Sequence, residues 1–321
     1  MPAVDRSGRL DRRQRYVERF AATLVKLRLM PSLADVTRYP AAKRLAMAPA
    51  PWMTSPLPTD VTFADRDVPS RGGRLRVRVY TPPTVAAEQP PVLYVHGGGW
   101  VTGGLDACHW LCAHLASRMS AVVVSVEYRL APEYRFPAAI EDCQDALAFL
   151  AEQGSELGVD AAKVVVAGDS GGGNLAAALA YWDAHNERRI VQQLLIYPGL
   201  DLTMSSPSYS ENRSPLLTRD VLAKTVEHYL GPDGDVKDPL VSPLLAESLE
   251  GLPCAVILTA EHDPLRDDGR LYAERLLDGG IPVEYRNYAT MGHGFFSTPK
   301  LCRDSGQALT DLVELSRSQL A

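Results

Sequence analysis

Residues 164–174 read Val-Val-Val-Ala-Gly-Asp-Ser-Gly-Gly-Gly-Asn, and this stretch decides how the rest of the chain is organised. Its first four residues form an apolar run rich in β-branched side chains, which predicts a buried strand. A glycine-rich turn around Ser170 follows, and residues 174–180 are strong helix formers. A Gly-x-Ser-x-Gly turn between a buried strand and a helix is typical of a nucleophile elbow, which exposes the serine hydroxyl above the sheet.

The glycines of this turn have a steric explanation. An elbow is so sharp that side chains at Gly168 and Gly172 would collide with their surroundings. The helix that begins at once points its N-terminal amides at Ser170, so the amide of Gly171 can face a developing oxyanion. The alternative is a glycine-rich loop with an incidental serine, but the flanking strand and helix favour the elbow.

The bulk composition fits a globular chain and argues against several functions. With 321 residues, of which 46% are hydrophobic, the chain can bury one large α/β core or two small ones. The formal net charge of -6 disfavours nucleic acid as the main partner. The five cysteines lack zinc-site spacing, which favours reduced thiols in a cytoplasmic protein and no bound metal. We find no run of about 18 apolar residues and no signal peptide, so we expect no stable membrane insertion.

Strand and helix patterns alternate along most of the chain. Residues 61–68 and 75–80 are predicted strands joined by a glycine hairpin. Six more strands are predicted at residues 92–95, 122–126, 164–167, 194–197, 255–259 and 283–288. Helices are predicted at about residues 10–29, 107–118, 136–154, 174–180, 218–230, 265–277 and 305–320. The alternation is typical of a parallel sheet, and it breaks over residues 199–238.

A serine hydroxyl is a weak nucleophile that needs a base beside it and an acid to orient that base. In elbow folds these groups follow in the order serine, acid, histidine, each after a strand. Asp263 follows the strand at 255–259, and His293 follows the strand at 283–288. We therefore predict a triad of Ser170, Asp263 and His293.

Nearby ionisable residues are less favoured for this role. Asp267 and Asp268 fall inside a predicted helix, where we expect them to face solvent or cap the helix. Four other histidines lie on predicted helices and are expected to be surface or packing residues: His109, His114, His185 and His228.

Residues 96–100, His-Gly-Gly-Gly-Trp, come directly after a strand. Three consecutive glycines are costly in conformational entropy, and they make sense where backbone N–H groups must face a ligand. Such a turn can donate to an oxyanion, so we predict that the amides of Gly98, Gly99 and Gly171 form an oxyanion hole. The alternative, a phosphate-binding loop, lacks the required glycine and lysine patterns. His96 itself is expected to be structural.

The first fifty residues differ from the rest, because they hold eleven basic and four acidic residues. Five apolar residues recur there at helical spacing: Tyr16, Val17, Phe20, Leu24 and Leu27. A basic amphipathic helix can lie on an anionic membrane, or it can pack its apolar stripe onto its own protein. We favour the second, because an enclosed reaction site needs a cover.

Five motifs together resemble those of the hormone-sensitive lipase-like α/β-hydrolases, the bacterial esterase family IV. They lie at residues 96–100, 127–138, 168–172, 263–267 and 292–295. The resemblance implies an α/β-hydrolase fold, with an eight-stranded, mostly parallel sheet, helices on both faces and a helical cap. Residues 1–55 would supply N-terminal cap helices, and residues 56–321 the catalytic domain with a cap insertion at about 199–238.

The resemblance also implies a serine carboxylesterase that hydrolyses small-molecule esters of short- to medium-chain acids without a cofactor. A homodimer through an edge strand is one expected assembly. Other functions stay open: an amide or lactone hydrolase, an acyltransferase, a non-catalytic binding protein, or a membrane-associated lipase. Seven residues are expected to line the pocket or to belong to the core: Trp52, Met53, Trp100, Phe136, Leu216, Leu217 and Phe296. Arg129 is expected to form a buried ion-pair network with Glu127 and Glu133 beside the elbow rather than to contact substrate.

Overall fold

The computed structural model describes residues 8–27, 32, 33, 35, 53–86, 89–212 and 214–321. Its eight strands are β1 (Thr62–Ser70), β2 (Gly73–Thr81), β3 (Val92–Val95), β4 (Val123–Val126), β5 (Val164–Asp169), β6 (Ile190–Ile196), β7 (Cys254–His262) and β8 (Val283–Gly292). They form one sheet in the order β1-β2-β4-β3-β5-β6-β7-β8. The pairs β1–β2 and β2–β4 are antiparallel, and every other neighbouring pair is parallel. The prediction of an eight-stranded, mostly parallel sheet is confirmed.

Helices cover both faces of this sheet. They are α1 (Arg12–Lys26), α2 (His109–Met119), α3 (Ala138–Gln153), α4 (Gly171–Ala184), α5 (Ser208–Glu211), α6 (Arg219–Leu230), α7 (Arg266–Asp278) and α8 (Ser305–Leu320). Side chains of α3, α4 and α7 share one hydrophobic core, and side chains of α2 and α8 share a second. Alternate residues of β5 enter the two cores, as the period of a strand requires. No helix in the described part of the chain is long and apolar enough to cross a membrane.

Strand β6 begins four residues before its predicted start at residue 194. The missed residues include Gln192 and Gln193, which are fully buried although they are polar. The side-chain amide of Gln192 donates to the carbonyl of Ser316 on α8, and that of Gln193 donates to the carbonyl of Pro253. Because hydrogen bonds to distant segments satisfy these amides, hydropathy alone could not reveal this part of the strand.

Helix α1 presents an unexpected face to the protein. Tyr16, Phe20 and Leu27 are 73%, 57% and 62% exposed, whereas the polar residues Gln14 and Glu18 are buried. The prediction that the apolar stripe packs onto the protein is therefore wrong for these three side chains. The physical reason is that Gln14 makes hydrogen bonds to the backbone at the end of β8, which the apolar side chains cannot make. The other predicted cap segments of residues 1–55 lie largely outside the described residues.

The insertion at residues 199–238 contains α5 and α6 and is fastened to α7. Asp267 and Asp268 were expected to face solvent or cap their helix, but both are buried, at 2% and 0% exposure. Asp268 accepts hydrogen bonds from the amides of Leu200 and Asp201, and Asp267 accepts one from the amide of Ser208. The expectation failed because these backbone amides lie about sixty residues away along the chain, although Asp267 also pairs with its neighbour Arg266 at 2.9 Å.

Arg129 forms ion pairs, as expected, but with two acids of α3 that were not the predicted partners. Its guanidinium lies 2.9 Å from Asp142 and 3.2 Å from Glu141. Arg129 is not among the described residues that line the cavity described below. The ion pairs therefore tie the segment after β4 to α3.

Candidate active site

Ser170 lies between β5 and α4 in a strained backbone conformation, with φ at 54° and ψ at -121°. The positive φ is uncommon for a residue with a side chain, and such strain is often found at functional sites. A Cβ atom on Gly168 would overlap the carbonyl oxygen of Gly172, and a Cβ atom on Gly172 would overlap the carbonyl oxygens of Val95 and His96. These overlaps bear out the steric explanation for the two glycines.

The structure brings the three residues predicted as a triad into one hydrogen-bonded chain. His293 Nε2 lies 2.9 Å from Ser170 Oγ, and His293 Nδ1 lies 2.7 Å from Asp263 Oδ2. Asp263 is fully buried, and its Oδ1 accepts a hydrogen bond from the amide of Leu265. The side chain of Asn212 donates to the carbonyl oxygen of Asp263 at 2.8 Å. The insertion therefore helps to hold the loop that carries the acid.

The charges around His293 favour its protonated form. Burial by itself lowers the pKa of His293, but the charge of Asp263 and the hydrogen bond to Asp263 outweigh burial. Asp169 and Glu18 add to this effect, so the pKa of His293 is raised above its ordinary value. An imidazole in this setting can accept a proton from Ser170 and hold it as a stabilised imidazolium.

The glycine turn after β3 lies against the elbow. Asp169 Oδ1 accepts hydrogen bonds from the Tyr94 hydroxyl at 2.7 Å and from the Gly97 amide at 2.9 Å, which links the turn to β5. Gly99 lies next to Gly171, since a Cβ atom on Gly171 would be 3.2 Å from the amide nitrogen of Gly99. The predicted oxyanion donors are thus neighbours in space. Asp169 was not predicted to have a role, although its place beside Ser170 in the motif was a usable signal.

His96 has structural contacts, as expected. Its ring stacks on Tyr128 with centroids 4.2 Å apart, and the Tyr128 hydroxyl donates to the His96 carbonyl oxygen. In the described ranges, no group of three or more His, Cys, Asp or Glu residues could hold a metal ion. The expectation that no metal or cofactor takes part stays a prediction.

Comparison with known proteins identifies the family. A family model described as the alpha/beta hydrolase fold matches residues 92–297. Carboxylesterase NlhH of Mycobacterium tuberculosis is 43% identical over 246 residues, which cover 74% of this chain and 77% of that protein. The chain belongs to the hormone-sensitive lipase-like α/β-hydrolases, and it is a carboxylesterase.

Other relatives extend over more of the chain. An ethyl acetate hydrolase of Pseudomonas putida is 36% identical over 267 residues, covering 82% of this chain and 83% of that protein. The solved structure of a hyperthermophilic esterase from the archaeon Pyrobaculum calidifontis superimposes with a TM-score of 0.81 at 34% identity. That superposition covers 96% of this chain and 99% of the archaeal chain, so the fold agreement includes nearly the whole hydrolase.

A cavity of about 600 Å³ opens beside Ser170 in this carboxylesterase. Its walls are mainly apolar and come from α1, the start of the insertion, α6 and the loops that carry the triad. Of the seven residues expected to line a pocket or to belong to the core, Trp100, Leu216 and Leu217 line this cavity. Trp52 lies outside the described residues, and the described lining does not include Met53, Phe136 or Phe296.

Two residues of α1 reach the site of the esterase without having been predicted to do so. Gln14 Oε1 accepts from the Gly292 amide at 2.9 Å, and Gln14 Nε2 donates to the His293 carbonyl oxygen at 3.3 Å. Glu18, one helical turn later, lines the cavity and is 7% exposed. Local sequence carried no signal for either residue, because polar residues of an amphipathic helix ordinarily face solvent.

Proposed function

We propose that this carboxylesterase hydrolyses esters of short- to medium-chain acids through a Ser170–His293–Asp263 triad and an acyl-enzyme intermediate. The observation that carries the proposal is the unbroken chain of contacts from Ser170 Oγ through His293 to buried Asp263, at 2.9 and 2.7 Å. The chain of contacts ends at an apolar cavity large enough for a small ester.

In the acylation step, Ser170 Oγ attacks the acyl carbonyl carbon while its proton passes to His293 Nε2. Asp263 accepts a hydrogen bond from His293 Nδ1, which selects the tautomer whose Nε2 can act as a base. The imidazolium then donates its proton to the departing alcohol oxygen, leaving the acyl group on Ser170. In deacylation, His293 takes a proton from water, the hydroxide attacks the acyl carbonyl, and Ser170 recovers its proton as the acid is released.

The tetrahedral intermediates carry a negative oxygen that the backbone can stabilise. The amides of Gly98, Gly99 and Gly171 are the proposed donors, and the proximity of Gly99 to Gly171 supports this assignment. Gly171 begins α4, so the dipole of that helix also favours negative charge at this position.

The cavity has room for a small ester. Its volume of about 600 Å³ falls inside the range of about 300–1,000 Å³ that is usual for small-molecule sites. A relative named as an ethyl acetate hydrolase agrees with a small ester substrate. We also propose that α1 and residues 199–238 act as the cap over this cavity, since both contribute side chains to its walls. A homodimer and the absence of nucleic-acid partners stay predictions.

The test is hydrolysis of p-nitrophenyl esters from acetate to palmitate by the wild type and by Ser170→Ala. We expect maximal kcat/KM at short or medium acyl length and a loss of about 10⁴-fold or more in Ser170→Ala. Ser210→Ala is a matched control, because Ser210 is an exposed serine on α5. Turnover retained in Ser170→Ala would contradict the triad, and a maximum at palmitate would contradict the acyl preference.

A further inference from the structure

Among the described residues, the ionisable side chains that line the cavity are mainly acidic. The described residues that line it include no lysine and no arginine, but they include two carboxyl groups, Asp169 and Glu18. Asp169 is held by the Tyr94 hydroxyl and the Gly97 amide, as described above. Glu18 is therefore the acidic side chain that is available to a ligand in an otherwise mainly apolar space.

Glu18 is held in place by its surroundings rather than being a mobile surface acid. Its side chain is 7% exposed, and its helix is anchored by the two hydrogen bonds of Gln14. A Cβ atom on Gly292 would lie 2.8 Å from Glu18 Oε1, so the carboxyl group packs against the backbone immediately before His293. The carboxyl group thus lies on the His293 side of the cavity.

Burying this carboxylate has an electrostatic cost. Desolvation is the largest effect and raises the pKa of Glu18 to about 7, and the charge of Asp263 acts in the same direction. His293 and a hydrogen bond from Gln14 oppose the shift, and no lysine or arginine is among the described groups that influence it. Within the described part of the chain, the charge of the Glu18 carboxylate is therefore only partly compensated, and a cation entering the cavity would stabilise that charge.

The proton transfer from His293 to the leaving group determines where the alcohol portion of an ester substrate lies. If the proposed triad mechanism holds, the departing alcohol oxygen must lie within hydrogen-bonding distance of His293 Nε2. The alcohol portion of the ester then extends along the wall that contains His293 and Glu18. We propose that Glu18 is a specificity-determining residue that selects esters whose alcohol portion carries a cationic ammonium group.

The experiment compares two isosteric substrates, meta-(trimethylammonio)phenyl acetate and meta-tert-butylphenyl acetate, which differ by a positively charged nitrogen in place of a carbon. The kcat/KM ratio of the charged to the neutral ester is measured for the wild type and for Glu18→Gln at about pH 8, where Glu18 is mostly ionised. Comparing the ratio between enzymes cancels the different intrinsic reactivities of the two esters. Glu227→Gln is the control, because it removes an exposed acid from α6, which also borders the cavity.

We expect the ratio to fall about tenfold in Glu18→Gln, as for the loss of one partly screened charge interaction, and to stay unchanged in Glu227→Gln. A ratio that is equal in the wild type and Glu18→Gln would overturn the proposal that Glu18 selects cationic alcohol portions. A second measurement uses only the wild type. Phenyltrimethylammonium should inhibit p-nitrophenyl butyrate hydrolysis more strongly than tert-butylbenzene does. Equal inhibition by the two compounds would also overturn the proposed role of Glu18. Failure of the proposed function looks different, because turnover of both acetates would then survive Ser170→Ala.

Discussion

Asp268 holds the start of the insertion against α7, and its buried carboxyl group leads to a prediction about stability. Its Oδ2 accepts hydrogen bonds from the amides of Leu200 and Asp201 at 2.9 and 3.0 Å and from the Tyr209 hydroxyl at 2.7 Å. Its Oδ1 accepts from the Ser206 hydroxyl at 3.0 Å. Burial raises the pKa of Asp268 to about 7, although the hydrogen bonds from Tyr209, Asp201 and Leu200 oppose the shift.

An asparagine at this position can keep the hydrogen bonds and remove the charge. The asparagine oxygen would replace Oδ2, and its amide group would donate to the Ser206 hydroxyl, which can rotate to accept. An alanine would leave the two backbone amides of Leu200 and Asp201 without their acceptor, at a cost of about 1–3 kcal/mol each. We therefore expect Asp268→Asn and Asp268→Ala to differ by several kcal/mol in the free energy of unfolding.

The buried carboxyl group of Asp268 makes the free energy of unfolding fall as the pH rises. Between about pH 4 and about pH 7 the unfolded chain ionises Asp268, while the folded chain keeps it protonated. The folded state of the wild type therefore loses about 1.4 kcal/mol of stability per pH unit from this group in that window, and nothing further above it. Asp268→Asn has no such loss, so its stability relative to the wild type should rise by about 3 kcal/mol between about pH 5 and about pH 8.

The assay is urea unfolding of the wild type, Asp268→Asn and Asp268→Ala at about pH 5 and about pH 8. Asp220→Asn serves as a control, because it neutralises an exposed acid in the first turn of α6. A difference between Asp268→Asn and the wild type that does not change with pH would refute the reasoning about the buried charge. Equal stability of Asp268→Ala and Asp268→Asn would refute the role of the hydrogen bonds.

Three further predictions concern the active site. Gln14→Ala should lower kcat of ester hydrolysis about tenfold, because the backbone around His293 loses the two hydrogen bonds from Gln14. Arg13→Ala, on the exposed face of α1, should leave kcat unchanged, and equal kcat values for the two variants would contradict this prediction. Gly172→Ala should destabilise the protein by about 3 kcal/mol or more, measured by thermal unfolding, because its Cβ would overlap rigid backbone; an unchanged Tm would disprove the steric argument. Asp263→Asn should reduce kcat by about 10⁴-fold. Because it also lowers the raised pKa of His293, it should move the acidic limb of the pH–rate profile to lower pH. An acidic limb that stays in place would contradict the electrostatic role of Asp263.

Local sequence predicted most of the sheet and failed at identifiable places. Strand β5 was evident from four consecutive apolar residues that enter the two cores in alternation. The first half of β6 was not, because Gln192 and Gln193 are buried polar residues whose partners lie on distant segments. The same limit applies to Asp267 and Asp268, whose charge suggested solvent although both accept hydrogen bonds from distant backbone amides of the insertion.

The sequence by itself determined the order and spacing of the candidate triad, since Ser170, Asp263 and His293 each follow a strand whose pattern can be recognised locally. Parallel strands end at one edge of the sheet, so this order was enough to predict that the three side chains would meet. Only the tertiary structure decided which face of α1 turns toward the site. That choice depends on hydrogen bonds from Gln14 to backbone groups almost 280 residues away, and on the space beside Gly292 that Glu18 occupies. No periodicity within the helix encodes such distant partners, because hydropathy reports the cost of burying a side chain and not the hydrogen bonds that offset it.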